Sequence, residues 1–150
     1  QKELLINMKS TDECTKELTD ELLYFFNGFS SWESSVIKSS ELTVSEAHAI
    51  EVLGQYGKMN MKELSEKLGV TTGTTTVTVD RLEKKKYAQR ESTKEDRRVI
   101  LIRLTEKGME AAEEHHKYHI DLTEQMMSSL SADEIEQLFN ILKKINKDTF

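Results

Sequence analysis

Along this chain the apolar positions change period several times, and each change marks a new element. From Thr11 or Asp12 a long helix is expected. Leu18, Leu22, Phe25, Phe29, Trp32 and Val36 alternate spacings of four and three over nearly three heptads. Leu23, Phe26 and Ile37 widen the stripe, so this helix packs against more than one neighbour. Residues 1–11 hold Leu4, Leu5 and Met8 as apolar anchors and read as a short helix or a partly ordered arm. Serines 30, 31, 34, 35, 39 and 40 crowd the helix's second half, as polar surface or as a hinge, because serine is a mediocre helix former. Leu42-Thr-Val-Ser-Glu46 opens the next helix, with Ala49, Ile50 and Leu53 inward and an end near Gly57.

The period then shortens. Asn60-Met-Lys-Glu63 is a capping box for a short amphipathic helix to Leu68, and Gly69-Val-Thr71 turns the chain. A second helix, capped by Thr71, runs to about Lys85 with Thr75, Val79 and Leu82 on its inner face. Tyr87–Ser92 and Arg98–Leu104 read as two strands around the charged turn Thr93-Lys-Glu-Asp-Arg-Arg98. Thr105 caps a second long helix, roughly 105–129, carrying Met109, Ala112, Tyr118, Leu122, Met126 and Leu130. Ser131-Ala-Asp-Glu134 caps the last one, whose seam is Ile135, Leu138, Leu142 and Ile145, with Phe139 and Ile141 beside it.

The expected fold is therefore mainly α with a small β-wing: a winged helix-turn-helix at 42–104, flanked by dimerisation helices at 1–41 and 105–150, all one domain. Helix, tight turn, helix and basic hairpin together put the second helix into a major groove. A lone 150-residue chain would expose the terminal stripes, and large apolar patches on monomers are uncommon. A twofold homodimer closes them and sets two recognition helices roughly 34–36 Å apart.

Composition sharpens this. No prolines and six glycines suit a mostly helical chain, and the single cysteine, Cys14, excludes an internal disulfide framework. Cys14 is read as a half-buried bystander, with oxidant sensing as the functional alternative. No apolar run approaches the ~20 residues of a membrane span and no secretory pattern opens the sequence, so a cytoplasmic protein without membrane contact is expected. The net charge of −6 is unevenly spread. Residues 58–107 hold 13 Lys and Arg against 8 Asp and Glu, a net +5, while the other 100 residues hold 8 against 19, a net −11. Phosphates sense charge within a Debye length, roughly 8–10 Å, so one basic face suffices for double-stranded DNA.

The recognition helix is rich in threonine: Thr71, Thr72, Thr74, Thr75, Thr76 and Thr78. Each lowers intrinsic helicity by a few tenths of a kcal/mol, so packing or DNA contact has to reward the run. Helical geometry leaves Thr72, Thr74, Thr76, Val77, Asp80 and Arg81 outward, offering hydroxyls to base edges and methyls to thymine. Gly73 and the free N–H groups at the helix start allow close approach to a phosphate. With few long charged readers, an A·T-rich site is expected. Lys94, Arg97 and Arg98 form the wing tip, where an arginine fits a narrow A·T minor groove. Asp96 buttresses an arginine, because phosphate repels a carboxylate. Lys84, Lys85 and Arg90 are candidates for flanking phosphates.

These residues carry a resemblance. Glu63-Leu-Ser-Glu-Lys-Leu-Gly-Val-Thr71, Val79-Asp-Arg-Leu-Glu-Lys-Lys85, Glu95-Asp-Arg-Arg98 and Leu104-Thr-Glu-Lys-Gly108 together resemble the multiple-antibiotic-resistance regulator (MarR) family over essentially the whole chain. The resemblance implies a dimeric transcription regulator that needs no cofactor, with Asp96 bracing the wing and Arg98, or alternatively Arg97, in the groove. One departure is Lys86, where the family usually has a glycine ending the recognition helix; a left-handed non-glycine there costs about 1 kcal/mol.

Three of four histidines lie in Glu113-Glu-His-His-Lys-Tyr-His119, and His115 and His119, one helical turn apart, can reach one ion. In the zinc-responsive adhesin-competence branch of the family, positions matching His48, His115 and His119 supply metal ligands, with Glu33 the nearest counterpart of a further carboxylate. The fatty-acid-synthesis repressor branch is similar in Glu46-Ala-His-Ala-Ile-Glu-Val-Leu-Gly54, in Thr71-Thr-Gly-Thr74 and in the pair His115 and His119. There the effector is an acyl chain on a carrier protein and the histidines couple elements by hydrogen bonds. The resemblance thus implies a repressor modulated by a small molecule or acyl carrier, with zinc as the alternative. Catalysis is not expected. His116 occupies the place of the glutamate base in a zinc-protease helix, and neither a nucleophile elbow nor a phosphate-binding loop is present. The alternative of a different class is a non-catalytic helical interaction protein, which would have no need of a basic hairpin.

Overall fold

A computed structural model describes residues 11–92 and 99–149. The chain divides after Val44 into two compact units. The first holds α1 (Thr11–Ile37), where the predicted seam stacks its aromatic rings along one face. Phe25 and Phe29 lie 6.3 Å apart and Phe29 and Trp32 5.5 Å apart, centre to centre. The serine-rich half stays helical as far as Ile37, with Ser34 and Ser35 donating to the carbonyls of Ser30 and Trp32, and Ser39 and Ser40 lie in the turn beyond it. Cys14 is exposed, not half-buried as expected, as are all residues of α1 before Phe29 in the single chain.

The second unit begins one residue into α2 (Val44–Tyr56). Ala47, Ala49, Ile50 and Leu53 form its buried face, the positions the spacing predicts together with Ala47. There follow β1 (Met59–Asn60), α3 (Met61–Leu68), α4 (Thr72–Lys84), β2 (Ala88–Ser92), β3 (Ile100–Leu104), α5 (Glu106–Met127) and α6 (Ala132–Thr149). The architecture is mostly helical with one three-stranded antiparallel sheet in the order β1-β3-β2, a winged helix-turn-helix. Strand β1 is unannounced in the sequence: two residues carry no period, and Asn60 also caps α3. It pairs Met59 with Ile102 and Asn60 with Leu101, whereas β2 and β3 pair from Ala88 and Leu104 to Ser92 and Ile100.

Local chemistry fixes the boundaries. The Asn60 side chain accepts from the Glu63 N–H at 2.9 Å while Glu63 accepts from the Asn60 N–H at 2.9 Å, so two orphan donors are satisfied at the start of α3. Ser131 and Glu134 repeat the box at α6. Tyr87, expected at the head of a strand, instead closes α4. Its N–H donates to the Leu82 carbonyl at 2.9 Å and the Lys86 N–H to that of Glu83 at 2.9 Å, the paired bonds of a Schellman turn. That turn needs a left-handed residue, and Lys86 supplies it at φ 66°.

The same turn meets the start of α5. Thr105 donates its backbone N–H to the Tyr87 carbonyl at 3.0 Å and its hydroxyl toward the Lys86 carbonyl at 2.7 Å. A Cβ on Gly108 would fall 2.0 Å from the Tyr87 oxygen, so only glycine permits this approach. The core beneath comprises Ile50, Leu53, Leu64, Val79, Leu82, Ile102 and Leu104, all buried. Among the described residues no helix is long and apolar enough to cross a membrane.

Lys86→Gly removes the left-handed strain without touching the core. Urea denaturation at matched protein concentration should show a gain of about 1 kcal/mol; a loss would mean that the lysine side chain itself holds the turn.

Candidate nucleic-acid interface

The interface is built on the turn between α3 and α4. Gly69, at φ 66°, ends α3, and its N–H and that of Val70 return to the carbonyls of Glu66 and Ser65, each at 3.2 Å. Thr71 then caps α4, accepting from the Thr74 N–H at 3.2 Å. Four residues of α4 are buried: Thr75, Thr78, Val79 and Leu82. This face pays back the poor helix propensity of the threonines through burial. The opposite face presents Thr72, Thr74, Val77 and Arg81 exposed and Thr76 half-buried, the arrangement the spacing predicts.

The threonine hydroxyls are less free than the sequence suggests. Those of Thr75, Thr76 and Thr78 donate to the carbonyls four residues back, at 3.0, 2.8 and 3.1 Å. Thr71 and Thr74 share a hydroxyl–hydroxyl bond of 3.0 Å. With its proton used inside the helix, Thr76 faces outward with a methyl and oxygen lone pairs. It is an acceptor and an apolar contact, not a donor.

Two of the expected phosphate contacts are instead internal. The Arg90 guanidinium bonds Asp80 at 2.7 Å and also Glu83, while its backbone N–H donates to Glu83 at 2.9 Å. Burial works against the charged form of Arg90, but the bond to Asp80 and the charges of Glu83 and Asp80 raise its pKa above the ordinary value. Asp80, exposed as expected, also ties the recognition helix to β2. Lys85 bonds the deeply buried Glu46 at 2.7 Å and joins the end of α4 to α2. On the sheet, Glu91 takes Lys58 at 2.7 Å and Arg103 at 2.9 Å. The Lys58 bond, then the two positive charges, hold its carboxyl below the usual range. Lys58, Lys85, Arg90 and Arg103 therefore have acidic partners, as does Lys62 with Glu66 at 3.9 Å; Arg81 and Lys84 stand exposed at the end of α4. The expected wing-tip residues Lys94, Asp96, Arg97 and Arg98 lie outside the described residues.

Helices α2 and α5 bring a second group together. The Nε2 atoms of His115 and His119 are 3.1 Å apart, and Glu51 Oε2 lies 3.7 and 3.6 Å from them. Their donor atoms fall within 4.8 Å of one another. Of the predicted ligand set this group contains His115 and His119 but neither His48, half-buried on α2, nor Glu33, which belongs to the first unit. Glu51 takes the place because it stands three residues, about 4.5 Å of rise, further along α2 and level with the imidazoles. Two imidazoles and a carboxylate suit zinc chemically, although three ligands leave a tetrahedral shell one short. The i, i+4 histidines are legible in sequence; their partner on another helix is not.

Comparison with known proteins agrees with this geometry. The MarR family model matches residues 42–100. The HTH-type transcriptional regulator MhqR of Bacillus subtilis is 30% identical over 104 residues, covering 69% of this chain and 72% of that protein. SarZ of Staphylococcus haemolyticus, another HTH-type transcriptional regulator, is 32% identical over 114 residues, 76% of each chain. Among solved structures, Streptococcus pneumoniae FabT in complex with DNA superposes with a TM-score of 0.82 at 27% identity, over 89% of this chain and 95% of that one. A MarR family protein from Bacillus stearothermophilus gives 0.81 at 28% identity, over 93% and 98%.

Replacing Arg90 by alanine should cost about 1 kcal/mol of stability, since its two ion pairs are partly exposed, whereas Lys84→Ala should stay within about 0.5 kcal/mol. Urea denaturation of the two variants measures the difference.

Proposed function

As the chain belongs to the MarR family of transcriptional regulators, we propose that it is a homodimeric repressor of a pseudo-palindromic, A·T-rich operator. In this reading residues 42–104 read DNA, and the helices at 1–41 and 105–150 make the dimer. The observation that carries it is the two-sidedness of α4. Thr75, Val79 and Leu82 are fully buried, while Thr72, Thr74, Val77 and Arg81 are turned to solvent on a helix of the right length to enter a major groove. Methyl groups dominate that outer face, and thymine methyls are their complement. Lys94, Arg97 and Arg98 would enter the flanking minor groove, with Asp96 bracing the wing. Ile135, Phe139, Leu142 and Ile145 on α6 and Leu18, Leu22 and Phe25 on α1 are exposed apolar residues at seam spacing, which supports association with a second copy. The similarity to FabT, solved with DNA, supports the same mode of docking.

Control would come from a small-molecule or acyl effector acting where α5 meets α2. The zinc-responsive alternative is favoured by one observation, the group of Glu51, His115 and His119, and it exchanges His48 and Glu33 for Glu51. Adding zinc or a chelator to the DNA-binding assay separates the two readings.

The deciding experiment is fluorescence anisotropy on DNA from the chain's own upstream region. Replacing thymine by deoxyuridine within the site should weaken binding about fourfold for each methyl contacted. Arg97→Ala with Arg98→Ala should reduce the slope of log affinity against log salt by about 2, while Arg90→Ala leaves that slope unchanged. An affinity indifferent to both arginines would remove the wing assignment and favour a helical interaction protein instead.

A further inference from the structure

Between α2 and α5 lies a cavity of about 470 Å3, within the roughly 300–1,000 Å3 of small-molecule sites. Glu51, Gly54 and Gln55 wall it from α2, and Met109, Ala112, Glu113 and His116 from α5. A Cβ on Gly54 would stand 2.8 Å from that of Ala112, so the helices touch there and the cavity opens beside the contact. Its chemistry is lopsided. Two acidic residues, Glu51 and Glu113, line it with no lysine or arginine among the described residues, and the rest of a mostly apolar wall comes from Met109, Ala112, Gly54, Gln55 and His116.

An anion entering this space would lose water beside two like charges, with only the Gln55 amide and the His116 ring to replace its hydration. A cation gains from both carboxylates, and an apolar body fits against the thioether and the methyl. Glu51 has carboxylate capacity to offer, because its approaches to His115, His116 and His119 are 3.6–3.9 Å, longer than hydrogen bonds.

We propose that this cavity binds a small organic cation with an apolar body, its positive group held between Glu51 and Glu113. The proposal rests on the reading of the chain as an effector-controlled regulator and names the effector's charge. A ligand wedged here parts α2 from α5 next to the Gly54–Ala112 contact. Helix α2 also carries Glu46, whose bond to Lys85 anchors the end of the recognition helix. Displacing α2 therefore displaces the support of the helix that reads DNA.

Isothermal titration calorimetry of the full chain without DNA tests it, using 3-phenylpropylamine and the carboxylate of matched length, 4-phenylbutyrate. The ammonium should bind at least tenfold more tightly and lose affinity as salt rises. Glu113→Gln, at an exposed position, should weaken the ammonium severalfold, and Glu51→Gln with Glu113→Gln should erase the preference. Equal binding, a preference for the carboxylate, binding of neither, or a preference that survives both substitutions would overturn the proposal. Anisotropy on the upstream DNA is run in parallel, and saturating ammonium should shift DNA affinity severalfold. Specific DNA binding without any ammonium preference defeats this proposal alone. An ammonium preference without specific DNA binding defeats the regulator reading and leaves the cavity assignment standing.

Discussion

Helix α4 has to stay helical although its residues favour other conformations, and the rest of the second unit is arranged around that requirement. Thr72 to Thr78 bring a glycine, five threonines and a valine into two turns, a composition that would not hold a helix in water. Four devices hold it: the Thr71 cap, a fully buried face centred on Val79 and Leu82, a Schellman turn through Lys86, and ion pairs to neighbouring elements at Asp80, Glu83 and Lys85. Of these, only the Asp80 ion pair uses the outward face. The stability of the helix thereby depends little on Thr72, Val77 and Arg81, the residues it displays.

That separation explains which parts of the fold were legible in the sequence. Caps, turns and helix faces are local, so Asn60 with Glu63, Thr71, Thr105 and Ser131 with Glu134 marked four helix starts, and the three-four spacing in α4 identified its dry side. Strand β1 escaped because a two-residue strand has no period of its own and exists only where β3 lies beside it. Tyr87 reads as strand in the sequence because its turn bonds are made through backbone, which side-chain patterns do not report. Lys86 showed the opposite case. A missing glycine signalled strain, and the chain adopts the left-handed conformation regardless.

Within the site, legibility followed partner distance. Charge counts marked a basic segment but not which bases were committed. Lys85 and Arg90 looked available for phosphate, yet their partners are Glu46, 39 residues away, and Asp80 and Glu83, ten and seven residues away. A recoverable hint existed for Arg90, since Asp80 and Glu83 share a helix face three residues apart and point at whatever follows the turn. Nothing comparable linked Glu51 to the histidines of α5. Two helices meeting through Gly54 and Ala112 is a tertiary fact, and the cavity next to that contact follows from it.

The seam where Gly108 lies against the Tyr87 carbonyl makes a stiff hinge point of the residues joining α4, the sheet and α5. Thr105 is bonded to the backbone of Lys86 and Tyr87, and Lys107 donates to the Lys85 carbonyl at 3.0 Å, so little slack remains in which motion could dissipate. Helix α5 then works as a lever, 22 residues and about 33 Å long. A tilt of about 5° pivoting at its rooted end carries the far end roughly 3 Å, comparable to the rise of two helical residues. Read from the other end, a displacement of a few ångströms along the lever is geared down to a small, firm rotation of the end of α4.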